Sequence, residues 1–414
     1  MSQSSAPPST DSLRPSLSPI PSMVEMLKID LVDQLEYLAR IGREPEVAER
    51  LIEFMRALYV HVPPSDLVAE RPEALVAAAE HLLAFAEQRK PRSAKIRVFN
   101  PSRKEHGWTS QHTVLEVVND DMPFLVDSLT GALGRLGAEL RLVIHPILRV
   151  TRDASGKLLS FQDGSKREGN ESIIHIRVPP VPVERHGELI ERIESVLADV
   201  RAAVEDFEPM RERCAAEVTT LHAPSPVFKS EHLGEVRAFL NWLREGNFIF
   251  LGYAYCRFSG SLRKGSSAGP DSVRFERDPG LGLLRDPGRS MFDVFEPPRE
   301  HELCRVLKAN RRATVHRSTH MDSVLVSDHD ASGALRGVHM FVGLFSLGAY
   351  SSNPKEIPLL HHKIQRVMAR AGFSPHSHDG KTLRYILETY PRDELFQISE
   401  RDLYSIALGI LHLQ

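Results

Sequence analysis

Cysteine is scarce: Cys214, Cys256 and Cys304 are the only three in 414 residues, odd in number and without a CxxC pair. That spacing excludes a disulfide framework and a zinc ribbon, and it fits a reducing compartment. No apolar run reaches the ~18 to 20 residues that span a bilayer, the longest candidates being broken by His, Arg or Pro. Neither sign of charge dominates, with 52 Lys plus Arg against 55 Asp plus Glu. There is therefore no basic field for nucleic acid and no acidic excess that would disorder the whole chain. The first 22 residues lack a cationic start and an apolar h-region, which argues against a secretory signal. Also missing is a G-x-G-x-x-G turn between a strand and a helix, the usual dinucleotide phosphate site. Gly280-Leu281-Gly282 comes nearest, but it follows Asp278-Pro279 and leads into Leu283-Leu284-Arg285, which is hairpin chemistry. The expectation is a soluble, cytoplasmic protein that touches neither nucleic acid nor membrane and whose partners are proteins or small molecules.

What is present is enough apolar content, 42%, for two or three domains. Residues 1–22, rich in Ser and Pro, are expected to form a disordered tail. From 23 to 92 the apolar residues recur at three and four (Leu27, Leu31, Leu35, Leu38; Leu51, Phe54, Met55, Leu58), a helical hairpin or bundle. Between 93 and 206 strands take over. KIRVF from Lys95 and TVLEVV from Thr113 alternate around turn chemistry at Asn100-Pro101. A helix follows over Leu125, Leu129, Leu133 and Leu136 to Gly137, then strands LRLVIHPILRV from Leu140 and SIIHIRV from Ser172, and a helix from about Gly187 to Val204. The order β, β, α, β, β, α predicts an α+β sandwich with helices on one face of a mainly antiparallel sheet.

The stretch 207–370 opens with a helix (Leu233, Val236, Leu240, Leu243) and continues in strand-like runs: FIFLGYAYCRF from Phe248, SVRFERD from Ser272, LCRVLKAN from Leu303, ATVHR from Ala313, SVLVSD from Ser323 and VHMFVGLF from Val338. This pattern predicts a second, sensor-type antiparallel sheet. Residues 371–414 read as a helical connector to downstream modules, because the final pattern shows no stop signal.

Three motifs could carry chemistry. Asn119, Asp120, Asp121, Pro123 and Phe124 lie between a strand and a helix. Asp121 is placed to cap that helix and Pro123 to start its first turn, while the free N–H groups there could hold a carboxylate effector. Lys308, Arg311, Arg312 and Arg317 form a cationic cluster that could meet a carboxylate, a phosphate or an acidic neighbouring module. His378-Asp379-Gly380-Lys381-Thr382 imitates the end of a P-loop, but its first glycine would fall at Pro375 and a helix precedes it. Capping by Ser377 or Asp379 is the expected reading, with His376, His378 and Asp379 as a weaker metal set. His316 and His320 are treated as ordinary polar positions.

NDDMPFLVDSLTGALGRLGAEL resembles the signature of ACT domains, which sense amino acids and whose first turn commonly reads Asp-x-Pro-Gly. Here Phe124 takes the glycine's place, so the turn is expected to act through packing or subunit contact. Longer strings resemble the amino-terminal region of the large NAD-specific glutamate dehydrogenases: KIRVFNP, GWTSQHTVLEVVNDDMPFLVDS, LVIHPILRVTRD, NFIFLGY, LKANRRATVHR and ETYPRDELFQIS. The resemblance implies ACT-like and PAS-like modules and a regulatory or assembly role in a homo-oligomeric enzyme. The reaction, L-glutamate with NAD and water to 2-oxoglutarate, ammonium and NADH, would be carried elsewhere. No catalytic, cofactor or metal residue is expected in this stretch, and an amino acid is the implied effector. The alternative is a free-standing ACT and PAS-like sensor acting on a separate enzyme; a phosphoryl-transfer role for His378 to Thr382 ranks last.

Overall fold

The protein is described by a computed structural model covering residues 23–164, 169–258, 275–286 and 302–413. The expected tail over 1–22 and the start of the SVRFERD strand, 272–274, lie outside the described residues. Two compact units divide the chain, one made of residues 1–120 and 141–183, the other of 121–140 and 184–414. Both are α+β, as the alternation of periods predicts.

In the first unit, α1 (Met23–Arg40), α2 (Pro45–Tyr59), α3 (Pro64–Val68) and α4 (Pro72–Ala86) precede β1 (Lys95–Phe99), α5 (Arg103–His106) and β2 (Thr113–Asp120). Proline opens α2, α3 and α4, where its missing N–H costs nothing and its fixed φ is already helical. Leu51, Phe54, Met55 and Leu58 of α2 share one core with Leu75, Ala79 and Leu82 of α4 and with Val118, Ile144, Leu148 and Ile173 of the sheet. The helices thus cover one sheet face directly.

The helix α6 (Leu125–Arg135) is followed by β3 (Leu142–Ile144), β4 (Ile147–Arg152), β5 (Leu158–Asp163) and β6 (Asn170–Val178). The sheet order is β1-β2-β6-β4-β5, with β3 also on β6 and every pairing antiparallel. Two details differ from the expected strands. LRLVIHPILRV is broken at His145-Pro146, since Pro146 has no N–H for the ladder, although its carbonyl still accepts from Ile173 at 3.1 Å. And β5, unforeseen, forms a hairpin with β4 through a turn in which Asp153 accepts from the backbone of Ser155 and Lys157. Gly156 in that turn has φ +89°, and a Cβ there would stand 2.2 Å from the Arg89 carbonyl oxygen.

A row of charge runs through this unit. Arg97, Glu116 and His175 are direct cross-strand partners on β1, β2 and β6. Glu116, 1% exposed, accepts from Arg97 Nε at 2.6 Å and is met by His175 Nδ1 at 2.9 Å. Arg177 donates to His175 Nε2 at 3.3 Å, stacks on Trp108 and pairs with Glu70. Burial raises the Glu116 carboxyl, but the hydrogen bonds and charges of His175 and Arg97 outweigh it and hold it below its usual value. A second buried network has Arg89 reaching Asp120 at 2.6 Å and Glu171 at 2.8 Å, while Arg152 grips Glu171 and the carbonyls of Ala86 and Gly156.

In the second unit α6 packs beside α7 (His186–Glu205), followed by α8 (Phe207–Thr220) and α9 (Ser230–Trp242). The second sheet contains β7 (Phe248–Phe258), β8 (Phe275–Arg277), β9 (Leu281–Gly282), β10 (Cys304–Arg312), β11 (His320–His329) and β12 (Leu335–Phe345). Its order is β10-β11-β12-β7-β8, with β9 on β7, so the first and last long strands lie side by side. Phe239, Phe248, Phe250, Phe341 and Phe345 fill the core between this sheet and α9. The ATVHR run is not a strand: β10 stops at Arg312, and a loop closed by Ala313 N–H to Thr319 O at 2.8 Å carries His316 at φ +63°. The chain then forms α10 (Leu347–Ser351), α11 (Leu360–Ala371), α12 (His378–Thr389), α13 (Arg392–Gln397) and α14 (Glu400–His412). Leu360, Ile364, Leu383, Leu387 and Leu403 give these last helices their own small core.

Glu116→Ala should lower unfolding free energy by about 2 to 4 kcal/mol, because the half-buried Arg97 and the buried His175 lose their shared acceptor. The lowered carboxyl also sets a sign: its stabilisation is complete above the ordinary glutamate value and is lost as pH falls through the depressed one. Urea melts at neutral and acidic pH check both, and a variant as stable as wild type would show the row to be incidental.

Candidate functional site

The strand-to-helix turn is held from its side chains. Asn119 Nδ2 donates to the Asp120 carbonyl at 3.1 Å, and the Asp120 carboxylate is the one paired with Arg89. Asp121 does not cap α6, and Pro123 does not begin it. The helix starts at Leu125 with Phe124 as N-cap residue and no side-chain cap, so Asp121 lies three positions too early to reach the N2 or N3 amide. Phe124 adopts φ +72°, the left-handed conformation that glycine supplies elsewhere, at a cost of about 1 to 2 kcal/mol. Its ring lies 4.9 Å from that of His316, whose own backbone N–H donates to Ser128 Oγ at 2.9 Å and whose Nδ1 is 3.0 Å from Asp127. At the other end of α6, Arg135 donates to Ser318 Oγ at 2.7 Å. The loop 313–319 therefore clamps both ends of the helix.

The four cations of the second motif do not converge. Lys308 bridges Asp322 at 2.7 Å and Asp393 at 2.9 Å; Arg312 donates to the Ser318 carbonyl at 3.0 Å; Arg317 donates to the Phe345 carbonyl at 2.6 Å. Arg311 lies on β10 with Lys308 and Arg312, and Arg317 lies in the loop after it. Burial pushes the Asp322 carboxyl up to about 6 in spite of Lys308. These groups hold β10, β11 and α13 together.

The glycine turn and the P-loop imitation are also structural. Gly282 N–H donates to Asp206 Oδ2 at 2.6 Å, and a Cβ on Gly280 would lie 2.3 Å from the Tyr253 carbonyl, so the turn is pressed against β7 with no space for phosphate. Ser377 is the cap of α12, its Oγ accepting from Gly380 N–H at 3.0 Å. Among the described residues no group of three or more His, Cys, Asp or Glu is placed to hold a metal, and His376, His378 and Asp379 form no such set.

A polar concavity in the second unit was not singled out from sequence. A cavity of about 980 Å³ lies between α8 and the β7, β12 and β11 strands of the second sheet, lined by Arg213, Glu217, Tyr253, Tyr255, Asp328 and His339 among others. Glu217 Oε1 is 3.2 Å from His339 Nε2, and His339 Nδ1 is 3.0 Å from the Tyr253 hydroxyl. Tyr255 donates to Asp328 at 2.8 Å. Burial, with Asp328 nearby, pushes the Glu217 carboxyl up to about 7 and burial takes His339 down to about 4. Burial thus opposes charge on both members of the pair. The available signal was the alternation Tyr253-Ala254-Tyr255, with His339 opposite Tyr255 in register.

A chain order that builds an antiparallel sheet and places a helix after its second strand is the class of regulatory ACT domains. Residues 54–193 match the family described as "Glutamate dehydrogenase, ACT1 domain", and residues 357–414 match "Glutamate dehydrogenase, helical motif 1". The chain is 34% identical over 421 residues to the NAD-specific glutamate dehydrogenase of Halomonas elongata, an alignment covering 94% of this chain and 25% of that protein. Against the Pseudomonas aeruginosa enzyme of the same description the identity is 33%, over 77% of this chain and 20% of the relative. For that of Mycobacterium tuberculosis it is 27%, over 72% and 18%. The chain belongs to the large NAD-specific glutamate dehydrogenase family, to its amino-terminal region, and spans about a quarter or less of the length of these relatives.

Phe124 gives a test of packing at the turn. Phe124→Ala loses the ring contact and keeps the left-handed strain, so it should cost about 1 to 3 kcal/mol. Phe124→Gly loses the same ring but relieves the strain, and should come out about 1 kcal/mol more stable than the alanine variant. Thermal melts showing glycine equal to or worse than alanine would remove the strain argument.

Proposed function

We propose that this chain is a regulatory and assembly segment of an NAD-dependent glutamate dehydrogenase, whose reaction converts L-glutamate, NAD and water to 2-oxoglutarate, ammonium and NADH. The observation that carries the reading is the ACT-domain match on residues 54–193, set on a sheet whose internal charges are already neutralised by one another. Hydride transfer and NAD binding belong, on this reading, to parts of the parent enzyme outside this chain. The partners are other subunits of the same enzyme, with a small-molecule effector such as an amino acid. No described helix is long and apolar enough to cross a membrane, and the cytoplasm is the proposed compartment.

The packing of Phe124 against His316 favours a structural or interface role for the turn over direct closure on a free amino acid. Purified chain is expected to form no NADH from L-glutamate and NAD, and to self-associate in sedimentation velocity runs. NADH formation proportional to chain concentration would overturn the division of labour, and a monomer at every concentration would remove the assembly role.

A further inference from the structure

The cavity of the second sheet has a charge inventory that points to a ligand. Three guanidiniums line it. Arg257 is paired with Asp278 at 3.1 Å and Arg336 with Asp328 at 3.3 Å. Arg213 lies over the Tyr253 ring at 5.9 Å, and no described residue gives it an ion pair or hydrogen bond. Glu217 is engaged with His339 at 3.2 Å, which leaves Arg213, among the described residues of the lining, as a guanidinium without a carboxylate partner.

Its floor supplies a donor as well. Tyr253 Oη, 3.0 Å from His339 Nδ1, presents a hydroxyl to the same cavity as Arg213. The groups facing Glu217 are Arg213 from its own helix, Asp328 from β11, His339 from β12 and Tyr253 from β7.

We propose that this cavity is a binding site for a small monocarboxylate, held by the guanidinium of Arg213 and the hydroxyl of Tyr253. The remainder of such a ligand meets the rings of Tyr253 and Tyr255 and the apolar edges of Leu335 and Pro279. Proton loss from Glu217 places a second negative charge beside the bound carboxylate, so affinity falls as pH rises through about 7. The inference goes beyond the proposed regulatory role of the ACT domain and does not depend on it.

The test uses the full chain and three probes of equal size that differ in one group: L-lactate, pyruvate and L-alanine. Binding is followed by calorimetry and by saturation-transfer NMR, at about pH 6 and about pH 8, on either side of the ordinary histidine range. At least one probe is expected to saturate, with weaker binding at the higher pH. Arg213→Gln, at an exposed position, should weaken that probe about tenfold or more, the loss expected for a charge-assisted hydrogen bond. Glu217→Gln should keep binding and abolish its pH dependence. Selectivity for alanine over lactate and pyruvate would identify the ligand as an amino acid paired with Asp328, and the reverse a hydroxy or oxo acid. Failure of all three probes to saturate in the millimolar range, or unchanged affinity in Arg213→Gln, would overturn the proposal. Both outcomes are independent of whether the chain regulates a dehydrogenase.

Discussion

A carboxylate with almost no access to water sits at the centre of the first sheet, and the surrounding strands are arranged to keep it charged. Glu116 on β2 is met from both sides, by Arg97 on β1 and by His175 on β6, with Arg177 closing the far side of the imidazole. A one-residue slip of any strand would turn its member of the row to the opposite face and leave buried charge unpaired, a penalty of several kcal/mol. The row therefore fixes register in a sheet whose apolar positions are nearly all Val, Ile or Leu and would tolerate several registers. Through Glu70 it also anchors the link between α3 and α4.

The second unit pairs the same residue types with the opposite result. Glu217 and His339 touch much as Glu116 and His175 do, yet the Glu217 carboxyl is raised while Glu116 is lowered. At Glu116 the hydrogen bonds and charges of His175 and Arg97 together overcome burial, whereas at Glu217 burial prevails, with Asp328 adding to it and Arg213 opposing. One pair is closed and structural; the other remains chemically incomplete and lines an open cavity.

Much of this was legible in the sequence where one period dominates. The helices of residues 23–92 and the long strands β2, β6, β7, β11 and β12 follow from apolar spacing alone, since burial of one face outweighs every local preference. The departures come from single residues that spacing does not weigh: Pro146 dividing a strand, Gly156 allowing an unforeseen hairpin, and Phe124 and His316 entering left-handed conformations where β-rich or capped geometry was expected. Asp121 was read as a cap because its residue type suits one, but the cap position falls three residues later, at Phe124. The cavity could not be read linearly, because Glu217, Tyr253, Asp328 and His339 come from four separate elements. Its strands could be predicted; which polar side chains share a face with α8 depends on packing.

The polypeptide leaves the first unit after residue 120, returns at 141 and leaves again at 183. Neither unit is a continuous stretch of chain. During synthesis β1 and β2 emerge well before β6, their central partner, so the carboxylate of Glu116 waits through some sixty residues of translation for His175. An autonomous amino-terminal fragment cut anywhere before β6 would expose an unpaired strand edge bearing that carboxylate, an invitation to mispairing with another nascent chain. Any dissection of this region by expression in halves must respect that interleaving.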